Sequence, residues 1–293
     1  MPNSAPNHSH EPAFGKGVTF ALFSLFFMNV NNALLKWLSG SMPTMEIMFF
    51  RAAVVVAIIL VIAARRRKLP KVNNWRGHFL WGGIQFFNGI VFIMGVGYLP
   101  LADTIAITFS GPLFLTLLAT PLLGEYIGWR RWAAVIVGFL GIIIITRPTG
   151  DAFQWVVLFP LAAALSGALR DITSRKVTAH ESSLSILFTS SLIGMAGSLV
   201  AMPFGWIIPT PGDIGFLIAI GLCVCIGLFL MIDAYRYAEA KVLAPLRYTA
   251  IIWSVILGYL LWGDLPDGWT VAGTAVVIVS GLYILRREYQ ETR

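Results

Sequence analysis

The chain is short of charge. Asp, Glu, Lys and Arg make up 12% of its 293 residues, while 57% are hydrophobic and the mean hydropathy is +0.79. A soluble domain carries about a quarter charged residues, so this inventory cannot cover a surface that faces water. Cysteine is almost absent. Cys223 and Cys225 stand two residues apart in an apolar run and point to different faces of a helix, which argues against a structural disulfide or a metal pair and favours packing as their role. The marks of an enzyme are missing as well. There is no GxxxxGK[ST] loop, so the chain has no ATP site of its own, and no HExxH, CxxC or GxSxG. His8 and His10 lie in a polar N-terminal stretch and form a poor ligand set, and His78 and His180 stand alone near the ends of apolar runs. No metal and no cofactor is expected. The first apolar run has neither a strong basic flank nor a small-residue cleavage site, so no cleavable signal peptide is evident.

What the chain has instead is a series of apolar runs, each near the ~20 residues needed to cross a bilayer. They predict an all-α integral membrane protein of ten spans, at about 16–37, 44–63, 77–97, 101–122, 130–147, 153–174, 182–203, 213–235, 241–262 and 268–286. Leu99-Pro100-Leu101 separates the third from the fourth, because proline removes a backbone donor. The net charge of +7 is not a nucleic-acid signature, because the basic residues sit in short clusters between the runs. Arg65 to Arg76, Arg130-Arg131, Arg175-Lys176, Arg236 with Lys241, and Arg286-Arg287 alternate along the chain, and all fall on one side if both termini are cytoplasmic. Residues 1–14 read as a disordered cytoplasmic tail and 289–293 as another.

The chain is one unit written twice. Tyr98 to Glu125 (YLPLADTIAITFSGPLFLTLLATPLLGE) matches Tyr237 to Asp264 (YAEAKVLAPLRYTAIIWSVILGYLLWGD). Tyr98 answers Tyr237, Gly124 answers Gly263 and Glu125 answers Asp264. After one extra residue in the second turn, Trp129 falls on Trp269, Gly141 on Gly281 and Arg147 on Arg287. Upstream, Ala33-Leu34 answers Ala168-Leu169 and Glu46 answers Glu181. The repeats are expected over 15–148 and 149–288, and five spans in each make the second enter the membrane inverted. Weak internal symmetry in an apolar chain is a mark of a transporter.

These closing patterns, with GWRRWAAVIVGFLGIIIITRP and GWTVAGTAVVIVSGLYILRRE after them and Glu46 followed by Phe50-Arg51-Ala52, resemble the drug/metabolite transporter superfamily in its branch of two EamA repeats. The run PLRYTAIIWSVILGYLLWGD is similar to bacterial members that move riboflavin or S-adenosylmethionine. The resemblance implies a central cavity, alternating access by rocking of the halves, a small-molecule substrate and a bacterial inner-membrane location. It implies no ATPase subunit and leaves a homodimer open. Riboflavin uptake is the leading expectation, followed by S-adenosylmethionine uptake and by export of an amino acid, metabolite or drug. A membrane enzyme or a membrane protein without flux is the rival class.

Arg247 is the sharpest site candidate, a charge well inside the ninth span two residues after Pro245, where a freed carbonyl and a cation make a typical transport site. Its rival role is snorkelling to headgroups. Asn29 and Asn32 in the first span, Gln85 and Asn88 in the third, Thr108 before Pro112 in the fourth, and Tyr248 and Trp253 in the ninth would offer amides and hydroxyls beside aromatic faces. The alternative for each is an ordinary contact between helices. Arg51 with Glu46 or Asp103, Arg170 with Asp171, and Asp233 with Arg236 are candidate gate ion pairs, or in the last two cases interfacial anchors.

Overall fold

The computed structural model describes residues 11–67, 70–124, 128–147, 155–177, 181–200, 203, 205–238 and 240–291. All regular structure among them is helical. The helices are α1 (Glu11–Ser39), α2 (Thr44–Arg66), α3 (Trp75–Tyr98), α4 (Leu101–Thr108), α5 (Gly111–Leu123), α6 (Trp129–Thr146), α7 (Leu158–Val177), α8 (Ser183–Leu199), α9 (Pro211–Tyr237), α10 (Ala240–Leu246), α11 (Thr249–Trp262) and α12 (Gly268–Glu291). Among the described residues eight segments are long and apolar enough to cross a membrane, and two shorter apolar helices, Leu184–Leu199 and Thr249–Trp262, fill the remaining places in a set of ten. Helix α1 begins at Glu11, inside the stretch expected as a tail, and residues 1–10, with His8 and His10, lie outside the described residues. So does His180.

Two expected spans are not single helices. The fourth breaks at Phe109-Ser110 into α4 and α5, and the ninth breaks at Arg247-Tyr248 into α10 and α11. Pro112 sits in the first turn of α5, where its missing N–H costs nothing and its ring stops α4 from running on. In the ninth span Pro245 lies inside α10, and the next turn tightens: Tyr248 N bonds Pro245 O at 3.2 Å and Ala250 N bonds Arg247 O at 3.1 Å, each three residues back. The spacing that lays Tyr98 on Tyr237 also lays Phe109 on Tyr248, so both breaks fall at one position of the repeat.

The two sequence halves do not form two bodies. Helix α1 packs along α9, and its repeat counterpart α7 packs along α3; α2 lies on α8 and α9, while α8 lies on α3. Helices α6 and α12 pair with each other. The most extensive helix contacts therefore run between the repeats rather than within them. The α6–α12 crossing is close because Gly141 and Gly273 oppose each other, and a Cβ on Gly141 would lie 2.9 Å from the Gly273 carbonyl oxygen.

The acidic residue that opens the second span of each repeat holds the loop leading into the third span of the other. Glu46 Oε2 accepts from Ile207 N at 3.0 Å, ahead of α9. Glu181 Oε1 accepts from Asn73 N at 2.7 Å and Asn74 N at 2.9 Å, ahead of α3. His78, expected to stand alone, contacts both Glu181 and Thr189: Nε2 lies 3.5 Å from Glu181 Oε2, and Nδ1 lies 2.5 Å from Thr189 Oγ1. Its partners were hidden from sequence because they lie on α8 and just ahead of it, 111 and 103 positions along the chain. The chosen ion pair of Glu46 with Arg51 is also absent. Five residues along an α-helix turn a side chain by about 140°, to a different face. Arg51 makes no hydrogen bond or ion pair among the described residues, and Asp103 lies beside Thr270 instead of Arg51.

Candidate functional site

A cavity of about 350 Å³ runs from the two helix breaks toward the end of the bundle where α7 and α12 finish and α6 and α10 begin. That is the end carrying the basic clusters. Phe109 and Tyr248 form its floor. Their rings stack at 5.0 Å and 28°, so equivalent residues of the two repeats meet face to face at the pseudo-two-fold axis. The Tyr248 hydroxyl reaches α12 over Gly281, where any added methyl would collide with it. Among the described residues that hydroxyl has no hydrogen-bond partner.

The walls are amides, hydroxyls and apolar groups. Asn29 is buried and lines the cavity from α1; its amide nitrogen donates to Leu25 O at 2.9 Å, which leaves its carbonyl oxygen without a partner. Asn32 lines it too, and its oxygen accepts from Asn31 at 3.0 Å. Asn88 on α3 also lines it and donates to Ala163 O at 2.7 Å and Ser166 Oγ at 2.9 Å, which ties α3 to α7. Thr108 ends α4 at the cavity with its hydroxyl on Thr104 O at 2.7 Å, and Pro112 follows on α5.

Charge gathers at the mouth. Arg247 projects from the ninth-span break and is exposed. Across from it on α7, Arg170 and Asp171 form an ion pair, with Nη2 2.9 Å from Oδ1. Gln85 does not line the cavity; it accepts from Arg170 Nη1 at 3.2 Å and steadies that side chain. Trp253 and Pro245 also lie off the cavity, Trp253 with its ring edge against Phe26 at 5.1 Å. Asp233 and Arg236 pair at 3.1 Å on α9 near its C-terminal end, away from the cavity. Glu46 and Arg51 are not in it either.

Two features escaped the sequence reading. Arg131 lines the cavity and is only 7% exposed, although it stands beside Arg130 in what reads as a loop cluster. Helix α6 begins at Trp129, so adjacent arginines point about 100° apart, one outward and one inward. The second is the closure of the opposite end. Lys36 Nζ donates to Leu99 O at 3.0 Å, pairs with Asp264 Oδ2 at 3.3 Å and lies 5.0 Å over the Trp262 ring. Trp37 packs against Trp262 beside it, and Arg147 pairs with Asp267. A lone lysine near the end of the first apolar run was the available signal.

The model of the EamA-like transporter family matches residues 15–147 and again 154–286. The chain is similar to an S-adenosylmethionine uptake transporter of Rickettsia bellii (strain RML369-C), 31% identical over 273 residues, covering 93% of this chain and 94% of the relative. It is similar to a riboflavin transporter of Rhizobium johnstonii, 28% identical over 203 residues, covering 69% and 67%. It also resembles a pseudopaline exporter of Pseudomonas aeruginosa (strain UCBPP-PA14), 26% identical over 275 residues, covering 92% and 96%. A solved crystal structure shares the fold, with a TM-score of 0.64 over 95% of this chain and 99% of that one at 17% identity.

Proposed function

The chain belongs to the EamA-like transporter family, a multi-pass protein of the bacterial inner membrane with a small-molecule substrate, and from that premise we propose that it takes up S-adenosylmethionine by alternating access, without ATP hydrolysis and without enzymatic chemistry. The observation that carries this reading is a cavity with both signs of charge beside aromatic and amide walls. S-adenosylmethionine has a flat heterocycle with polar edges, a sulfonium cation, an ammonium and a carboxylate. Asn29, Asn32 and Asn88 suit the heterocycle's edge, and the Phe109–Tyr248 floor suits its face. Arg247 suits the carboxylate, and Asp171 suits the cationic end in exchange for Arg170. Arg247 by itself suits an anionic solute; Asp171 on the same cavity offers the matching anion for a cationic group.

Riboflavin uptake is the second reading, supported by the stacked aromatic floor and by relatives named for riboflavin transport. Riboflavin has neither a fixed cation nor a carboxylate, so it would leave the Arg247 and Asp171 pairings unused. The test is counterflow of labelled S-adenosylmethionine and of labelled riboflavin in proteoliposomes containing this chain alone, with no nucleotide present. S-adenosylmethionine flux lost on Asp171→Asn supports the first reading. Riboflavin flux that survives this substitution supports the second. Flux of neither overturns both.

A further inference from the structure

The polar groups of the solute cavity sort by depth. Helices α3 and α6 begin at the basic end, and α7 finishes there. Arg170 and Asp171 stand about two turns before the end of α7, so they lie toward the mouth with Arg247. Asn88 lies about three turns into α3 and bonds to Ala163 and Ser166 of α7, about one to two turns deeper than Arg170. Thr108 ends α4 beside Phe109 at the floor.

At this deep end the donors are spent and acceptors are left over. Both hydrogens of the Asn88 amide are taken, by Ala163 O at 2.7 Å and Ser166 Oγ at 2.9 Å, and its carbonyl oxygen has no partner among the described residues. The Thr108 hydroxyl donates to Thr104 O at 2.7 Å and keeps only lone pairs to offer. Asn29 is the most telling. It is 1% exposed, it lines the cavity, its Nδ2 donates to Leu25 O at 2.9 Å, and its Oδ1 has no partner among the described residues. The bond to Leu25 also fixes which way the amide faces, since the reverse placement would set oxygen against oxygen. Asn32, one turn on, differs: its oxygen already accepts from Asn31 Nδ2 at 3.0 Å. A buried acceptor without a donor is unfavourable. At the wall of a solute cavity, a donor on the solute completes it.

We propose that Asn29, with Asn88 beside it in the wall, selects the solute by a hydrogen-bond donor, and that the solute enters with an amino-bearing edge inward and its charged end at the arginines. The identity of that solute rests on the S-adenosylmethionine reading; its orientation and the selecting residue are added here. The exocyclic amine of the heterocycle is the donor. A deaminated analogue carries an oxygen in place of that amine, so it meets Asn29 Oδ1 with a second acceptor and is rejected. A site built to bond a particular donor discriminates strongly against a solute that lacks it, because its own polar group is then left unpaired.

The test measures displacement of labelled S-adenosylmethionine from the purified full-length protein by unlabelled S-adenosylmethionine and by its deaminated analogue. In the wild type the analogue should need about a 10- to 100-fold higher concentration. In Asn29→Leu the ratio should fall to about one. Equal displacement in the wild type, or an unchanged ratio in Asn29→Leu, overturns the proposal. A second measurement needs no solute. Asn29→Leu removes an unmet acceptor, whereas Asn32→Leu, the same exchange on the same helix, removes one that is met. Asn29→Leu should therefore melt about 2–4 °C above Asn32→Leu. Asn29→Leu that melts below Asn32→Leu shows that Asn29 serves the fold, and overturns the proposal. Loss of S-adenosylmethionine binding in an Asn29→Leu protein that keeps the higher melting temperature supports it. A wild type that binds no S-adenosylmethionine overturns the solute assignment alone, and the melting comparison then decides whether the Asn29 carbonyl is held for a solute.

Discussion

Arg247 shows what a single residue reveals and what it leaves out. A cation beside a helix-breaking proline inside an apolar run has few places to go, and it faces the solute cavity. Under the proposed function, its hydrogen bonds to a substrate carboxylate would be charge-assisted and contribute about 1.5–3 kcal/mol. Arg247→Ala is expected to raise the KM for uptake roughly 10- to 100-fold at matched expression, with partial recovery in Arg247→Lys, which keeps the charge but loses the planar fork. Normal KM in both would remove Arg247 from the site. Gly281 is a second test at this scale. Gly281→Ala drives a methyl into the Tyr248 hydroxyl and should cost about 1–3 kcal/mol of stability, as overpacking does. Tyr248→Phe in the same chain removes the colliding oxygen and should restore the melting temperature; no restoration would show that the strain lies elsewhere. Arg131 and Lys36 were not legible as functional because a basic residue near a span end looks alike whether it meets headgroups, a cavity or a partner. Only the neighbours on other helices distinguish these cases.

At the scale of the element, the repeat was legible and its use was not. Glu46 and Glu181 align in sequence, yet their shared task is a hydrogen bond to a loop of the opposite repeat. Glu46→Ala leaves Ile207 N without its acceptor and should lower stability by about 1–3 kcal/mol, read as a drop in melting temperature in detergent. Glu181→Ala should act in the same direction with a dependence on pH. Burial of the Glu181 carboxyl raises its pKa, but the N–H groups of Asn74 and Asn73 and the His78 ring outweigh burial and hold it below its ordinary 4.5. A lowered pKa means that the contribution is present above pH 4.5 and fades as pH falls through the depressed value. The difference in melting temperature between wild type and Glu181→Ala should therefore shrink in acid; a gap constant down to pH 3 would contradict this (a bound of ~3 marks the region below the usual carboxylate range). The breaks in the fourth and ninth spans were half legible. Pro112 and Pro245 are visible in sequence, but hydropathy averages across a break and reads each pair of short helices as one run.

For the whole molecule, the cavity is reached from the basic end, and the opposite end is closed by Lys36 between Leu99 and Asp264. Helix α1, which carries Lys36, packs chiefly on α9, whereas Leu99 caps α3, which packs chiefly on α7, so this ammonium ties two differently packed helices at the closed end. The proposed alternating access would have to break that contact. A cysteine placed at Thr108 should react with a membrane-impermeant maleimide from the basic side only, and in Lys36→Ala from both sides. Labelling that remains one-sided in Lys36→Ala would show that the closure does not depend on the ammonium.

The sequence by itself determined that the protein lies in a membrane, that it has ten apolar segments in two inverted units, and which family's pattern it follows. Those facts rest on composition, run length and repeat, which are properties of the chain read locally or against itself. Tertiary structure decided that the repeats interleave, that Phe109 meets Tyr248, that Asp171 faces the same space as Arg247, and that Asp267 caps a helix and binds Arg147. The physical reason is the same in each case. In a bilayer the apolar pattern drives every helix to insert with little regard to its neighbours, while the few polar groups acquire their roles from partners that arrive from distant parts of the chain.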